Sequence, residues 1–383
     1  MFVRIQSKLA AAFVISGLAA CSPTAPAPTP KPVAAAAPKP AAPPRPPQAT
    51  ALPQPTVLAS AVPVGQAINA AAPPAPPTPA PAVPAGAAAD PIQQRNRLIK
   101  IEVLLDRAHF SPGEIDGRDG ENLHRAIAAF EAAHRMPTTG TVDPALWTAL
   151  TAADAGPVVT DYVISPDDLK GPFLGKVPTD MKAMARLPHM GFAGPLEGLA
   201  EKFHMDPALL KALNPGADFG AAGQAIVVAA SGGPPLAAPV MRIEVDKSTQ
   251  QVRAFDATGV LEAVYPATVG SQERPAPTGV WAVRAVAPRP DYTYDPSRLT
   301  FGKSKKVLTI APGPNNPVGS TWIALTKDTY GIHGTPDPSL VGKRASHGCV
   351  RLTNWDARQL GEAVKKGAVV DFVGVETLKK TAA

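Results

Sequence analysis

Two short segments near the C-terminal end gather the residue types that can do covalent chemistry. Gly331-Ile332-His333-Gly334-Thr335-Pro336 is followed by Ala345-Ser346-His347-Gly348-Cys349-Val350-Arg351-Leu352. A thiol attacks as its thiolate, so Cys349 needs a base or a positive field beside it. A strand–loop–strand return of this length can bring His333 back to Cys349. The glycines let the backbone turn tightly and approach a substrate closely. Successive amides at 347–349 can then form a concave donor site for an oxyanion. The same residues have two blander readings. One is a buried structural cysteine beside a histidine. The other is a zinc site from His333, His347 and Cys349, which lacks a fourth ligand and any Cys-x-x-Cys pair. No nucleotide loop, metal motif or heptad run appears, so neither a metal nor a cofactor is implied.

The elements that must position these residues change character at Met241. From there apolar residues recur with period two: Ile243 and Val245, then Val252, Ala254 and Phe255, then Val260, Val264 and Tyr265. They predict a meander of strands, with Asp256-Ala257-Thr258-Gly259 as a hairpin loop. Further strands are expected over 280–286, 321–325, 330–332 and 369–373. One helix is expected over 354–366, with Asn354 as its cap. The result is a mainly β domain of about 135 residues, enough for its own core.

Upstream the period is helical. Leu98, Ile101, Leu104 and Leu105 mark one helix, and Leu123, Ile127, Phe130 and Ala133 a second. A third starts with Asp143 as N-cap and Pro144 at N1. His109, His124 and His134 match no zinc spacing and read as surface or packing residues. Residues 158–230 predict a strand at 162–164, helices over 196–203 and 207–213, and a closing strand at 224–228.

The N-terminus carries Arg4 and Lys8, then an apolar run to Ala20, too short to span a bilayer. It fits a secretory signal peptide. Between Ser22 and Asp90, 21 Pro and 23 Ala fall among 69 residues, a composition that predicts a disordered polyproline-like tether. The net charge of +6 resides mostly in these first 90 residues. The remainder is near neutral, which argues against a nucleic-acid partner. The chain has 2 Cys, Cys21 and Cys349, too few for a disulfide scaffold.

Several of these segments resemble known families. Leu18-Ala19-Ala20-Cys21 resembles a bacterial lipoprotein box, which implies cleavage before Cys21 and its acylation. Ser22, in place of Asp, implies sorting to the outer membrane and a periplasmic location. Asp116-Gly117, Ala129-Phe130-Glu131, Met136-Pro137-Thr138-Thr139-Gly140 and Val142-Asp143…Leu146-Trp147 resemble the three-helix peptidoglycan-binding domain. Leu199-Ala200…Phe203-His204-Met205 and Leu209-Leu210…Leu213-Asn214-Pro215-Gly216 resemble a LysM glycan-binding module. In that module an extra stretch, about 170–193, interrupts the usual first turn, and a spacer that packs on its neighbour is the alternative.

The C-terminal part resembles an L,D-transpeptidase catalytic domain of the YkuD type. The matching pieces are Thr268-Val269-Gly270, Pro277-Thr278-Gly279, Pro312-Gly313-Pro314-Asn315-Asn316-Pro317-Val318-Gly319, Ile332-His333-Gly334-Thr335-Pro336 and Ser346-His347-Gly348-Cys349-Val350-Arg351-Leu352. Ala276 departs from the frequent Thr-Pro. The resemblance implies Cys349 as acyl-accepting nucleophile and His333 as base and later acid. The backbone carbonyl of Gly334 would orient the imidazole in place of a triad carboxylate. His347, Gly348 and Cys349 would supply oxyanion amides, and Ser346 and Arg351 would shape the substrate site.

The expected architecture is therefore multidomain: signal peptide 1–20; lipidated Cys21 and linker 21–90; peptidoglycan-binding domain 91–153; LysM-like α+β module 158–231; catalytic domain 239–375, a mixed β-sandwich with one late helix; and tail 376–383. The implied function is acyl transfer from peptidoglycan stem tetrapeptides through a thioester. It would form 3–3 cross-links or attach outer-membrane proteins to the wall, and carbapenems should acylate Cys349. The alternatives are a carboxypeptidase or endopeptidase of the same fold, or a non-catalytic wall-binding tether.

Overall fold

The computed structural model describes residues 61–75, 90–270, 275–297, 304–343 and 348–375. The expectations for residues 1–20, Cys21, Ser346, His347 and the tail lie outside the described residues.

A first helix, α1 (Ala61–Asn69), corrects the reading of 21–90 as wholly disordered linker. Ile68 is fully buried, and the Asn69 side chain bonds both amide and carbonyl groups of the next module at Val158 and Val159. Ile68 is the only isoleucine in that Ala/Pro segment, and a β-branched apolar anchor suffices to dock one short helix.

Helices α2 (Pro91–Arg107), α3 (Glu121–Ala133) and α4 (Pro144–Ala153) follow. Asp90 caps α2 through Ile92 N at 2.9 Å, and Asp143 caps α4 through Leu146 N at 2.8 Å. Strand β1 (Val159–Val163) pairs antiparallel with β2 (Ala225–Ala229). Between them lie α5 (Met181–Met184), α6 (Pro195–Lys202) and α7 (Pro207–Leu213). The two modules that the sequence separates share one core, from Ile101 and Phe130 to Leu210 and Val228. Ile115 joins them through backbone bonds with His204 and Asp206.

The catalytic domain is one nine-stranded mixed sheet. Its strands are β3 (Val240–Asp246), β4 (Gln251–Phe255), β5 (Leu261–Pro266), β6 (Thr268–Val269), β7 (Gly279–Pro288), β10 (Thr321–Leu325), β11 (Gly331–His333), β12 (Val350–Arg351) and β13 (Val364–Val373). They lie in the order β5-β4-β3-β13-β7-β10-β11-β12-β6. The ten-residue β7 gives its first half to β13 and its second to β10, so the sheet divides there into two halves. Val245, Val252 and Val370 from one half and Ile323, Ile332 and Val350 from the other fill a single core. A separate hairpin, β8 (Tyr292–Tyr294) with β9 (Leu308–Ile310), completes the strands.

Helix α8 (Asn354–Ala363) is shorter than the expected 354–366, and its cap is Thr353, whose hydroxyl accepts from Asp356 N at 3.1 Å. Val364 already pairs with Val240, so sheet pairing takes over where helical spacing alone would continue.

Candidate active site

His333 ends β11, and Cys349 immediately precedes the neighbouring strand β12. β11 and β12 are parallel, with Ile332 opposite Val350 and His333 opposite Arg351. Side chains alternate along a strand, so Ile332 and Val350 enter the core between the halves while His333 and Arg351 face outward. Cys349 is two residues before Arg351 and shares its side. Trp322 stands opposite His333 on β10 and stacks on the imidazole at 5.3 Å. A second apolar layer covers this face: Trp322, Ala324, Tyr292, Tyr294, Ile310, Val318, Met190 and Cys349 itself. Met190 comes from the 170–193 stretch. That stretch therefore packs on the catalytic domain, and Met181 and Met184 of α5 reach the same layer.

Nδ1 of His333 lies 2.6 Å from the Gly334 carbonyl oxygen. A carbonyl only accepts, so Nδ1 carries the proton and Nε2 is the basic nitrogen. His333 is 3% exposed. Burial, and then the Arg351 charge, push its pKa down to about 3, against the opposing carbonyls of Gly334 and Val318. The resting imidazole is thus neutral. The thiol of Cys349 points to the Thr329 carbonyl at 3.8 Å, a contact that suits the protonated sulfur. The positive field at the sulfur comes from Arg351, whose charge is coupled to Cys349 and whose own pKa burial lowers. Gly348 sits at φ +103°, a conformation closed to side chains, immediately before the nucleophile.

Asn354, expected as a cap, holds the backbone behind the imidazole instead. It is 1% exposed. Its Oδ1 accepts from Ser320 N at 2.9 Å, and its Nδ2 donates to Pro314 O at 3.1 Å and Glu201 Oε2 at 2.9 Å. A Cβ on Gly334 would collide with this Oδ1, so only glycine fits beside it. Sequence reasoning missed Trp322, Thr329 and this use of Asn354. The findable signal was that the two expected strands, 321–325 and 330–332, are close enough in sequence to pair, which sets Trp322 beside His333.

The arrangement places a buried imidazole, a guanidinium and a thiol on one face of a mainly β domain. The L,D-transpeptidase catalytic domain family (YkuD) matches residues 241–372, and the family described as "Putative peptidoglycan binding domain" matches residues 94–150. The chain is 29% identical over 179 residues to the "Putative L,D-transpeptidase YkuD" of Bacillus licheniformis, covering 46% of this chain and 92% of that protein. It is 30% identical over 123 residues to the "Probable L,D-transpeptidase YbiS" of Escherichia coli K12, 31% of this chain and 39% of that protein. Among solved structures, L,D-transpeptidase 3 from Mycobacterium tuberculosis aligns at 17% identity and TM-score 0.30, over 40% of this chain and 76% of that one. The chain thus carries an L,D-transpeptidase catalytic domain of the YkuD type over residues 241–372, with a peptidoglycan-binding domain ahead of it over residues 94–150.

Proposed function

We propose that Cys349 takes the acyl group of a peptidoglycan stem tetrapeptide as a thioester. In the first half-reaction Sγ attacks the carbonyl of the third residue as Nε2 of His333 takes the thiol proton. The tetrahedral oxyanion meets the amides of Gly348 and Cys349, and Nε2 returns the proton to the departing D-Ala amine. In the second, an acceptor amine attacks the thioester, gives its proton to Nε2, and Sγ leaves. The low basicity of the resting imidazole favours proton transfer concerted with attack over a standing thiolate–imidazolium pair. Arg351 stabilises the charge that develops on sulfur.

The observation that carries this reading is the common face of His333, Arg351 and Cys349, with Nε2 left basic by the Gly334 carbonyl. A diaminopimelate acceptor gives a 3–3 cross-link, and a protein acceptor ties an outer-membrane protein to the wall. Acylation of Cys21 would hold the enzyme at the outer membrane, facing the periplasm. The α6–α7 module would bind glycan strands. The Bacillus alignment is longer than the whole stretch from residue 241 to the end, so it takes in part of that module. Residues 91–383 incubated with purified tetrapeptide muropeptides should yield cross-linked dimers and free D-Ala by mass. A tripeptide-only product would assign water as acceptor. Activity retained in Cys349→Ala would end the thioester mechanism.

A further inference from the structure

A cavity of about 580 Å³ lies apart from Cys349, which does not line it. It opens between the 170–193 stretch with α6 on one side and the Pro312–Pro314 turn of the catalytic domain on the other. Backbone bonds from Met190 N to Pro312 O and from Asn315 N to Met190 O clamp the two walls together. Its size is that of ligand sites, which also favour junctions between modules.

The lining is built for a ligand with both apolar and acidic parts. Half-buried Phe173 and Phe192 supply flat apolar faces. Ser320 presents a buried Oγ with no hydrogen-bond partner. A native fold rarely leaves such a hydroxyl unmatched unless something else occupies the space before it. Glu201 gives Oε2 to Asn354 and keeps Oε1 for the cavity. Burial holds its pKa up at about 7, so near neutrality it adds at most part of a charge. Arg289 and Arg358 line the same space, and neither forms an ion pair among the described residues. Arg358 lies near enough to Glu201 to oppose the rise in its pKa, but that carboxyl is only partly charged, so the two guanidiniums still suit an anionic group, which arginine holds bidentately. The Phe faces suit the apolar side of a sugar ring.

We propose that this cavity is a second peptidoglycan-binding site, taking a carboxylate-bearing saccharide–peptide unit with its acid on Arg289 and Arg358 and its sugar against Phe173 and Phe192. The proposal rests on peptidoglycan being the enzyme's partner and adds where a second part of the same polymer is held. Ser320 precedes β10, and Thr321 O accepts from Gly334 N, so an occupant lies one residue from the backbone that holds His333.

The full chain, labelled with ¹³C-methyl leucine, is titrated with a disaccharide–tripeptide. This probe lacks the terminal D-Ala and cannot acylate Cys349. Leu199 lines the cavity, and its methyl signals should shift and saturate. Both arginines are exposed, so Arg289→Glu with Arg358→Glu keeps the fold and should raise Kd at least tenfold. Phe173→Ala should weaken binding severalfold. No Leu199 shift at millimolar probe, or an unchanged Kd in the double variant, overturns the site. A carboxylate-free disaccharide of N-acetylglucosamine that binds as tightly overturns the carboxylate assignment. Mass measurement of Cys349 acylation by tetrapeptide runs in parallel. It fails only if the thioester mechanism fails, so the two outcomes are separable.

Discussion

Nδ1 of His333 is held 2.6 Å from the carbonyl of Gly334, the next residue in its own chain. A peptide carbonyl orients the ring without adding a formal charge to a buried site. A carboxylate in that place would stabilise the imidazolium far more. The choice keeps the imidazole neutral at rest, and Arg351 on the adjoining strand reinforces it.

The first prediction concerns that ring. The unfolded histidine titrates near 6.5, and the folded one is pushed down to about 3. Between those values the unfolded chain binds a proton that the native state does not. This contribution to stability is therefore present above pH 6.5 and is lost as pH falls toward 3. The His333 ring signals should show no titration from pH 5 to 8. In Arg351→Met the ring should titrate at higher pH, because one of its two depressing causes is gone. A His333 signal titrating near 6.5 in the native chain would contradict the buried neutral imidazole.

A second prediction concerns Asp356, in the junction where α2, α6 and α8 meet. Asp356 faces Asp106, His204, Ser111 and Thr353, and Ser111 donates to its Oδ2 at 3.0 Å. Burial first, and then the neighbouring Asp106, raise its pKa to about 7, against the Thr353 bond. Burial also opposes the charge on Asp106, but the His204 contact at 3.0 Å outweighs it and the net shift is downward. For Asp356 the folded value exceeds the unfolded one, so its ionisation costs stability as pH rises from about 4 through 7. Asp356→Asn keeps an acceptor for Ser111 and removes that cost. Its melting temperature should exceed the parent's by a few degrees at pH 8, at about 2–4 °C per kcal/mol. The gain should vanish at pH 4.

Asn354 offers a third test. Replacing it with Ala strands Ser320 N, Pro314 O and a Glu201 oxygen in a buried place. A buried polar group left unpaired costs about 1–3 kcal/mol, so urea denaturation should show a loss of about 3 kcal/mol. Tetrapeptide turnover should fall in kcat more than in KM, since the substrate's own contacts are elsewhere. Gly334→Ala should be as damaging, because its Cβ meets the same Oδ1.

The peptidoglycan-binding domain also touches the segment between His333 and Cys349. Asn122 Nδ2 on α3 donates to Val341 O at 2.9 Å, and Gly342 N donates to Thr268 Oγ1 at 2.8 Å. Asn122→Ala should free that segment, at about 1–2 kcal/mol. Limited trypsinolysis should then cut after Lys343 several times faster than in the parent, with α2 to α4 still helical by circular dichroism.

Much of this protein was legible in order along the chain. The helix at Pro207–Leu213 and the strand at Thr321–Leu325 stand where periodicity put them, because each buries a regular apolar face. The motifs around His333 and Cys349 marked an L,D-transpeptidase-type domain, and the family match over residues 241–372 bears that out. The two- and three-residue strands β6, β8, β9 and β12 were not legible. A strand that short has no period of its own and exists only because a neighbour pairs with it.

What the amino-acid order determined by itself was the inventory: a near-neutral C-terminal part, helical spacing before residue 213, strand spacing after 241, and one C-terminal thiol, Cys349, preceded by two His-Gly pairs. The tertiary structure decided the charge state of the His333 imidazole, because desolvation depends on Trp322 and on the covering layer brought from distant segments. It also merged two sequence modules into one core and turned Asn354 from a helix cap into a support for Gly334. Such effects depend on which groups exclude water around which others, and no local run of residues carries that information.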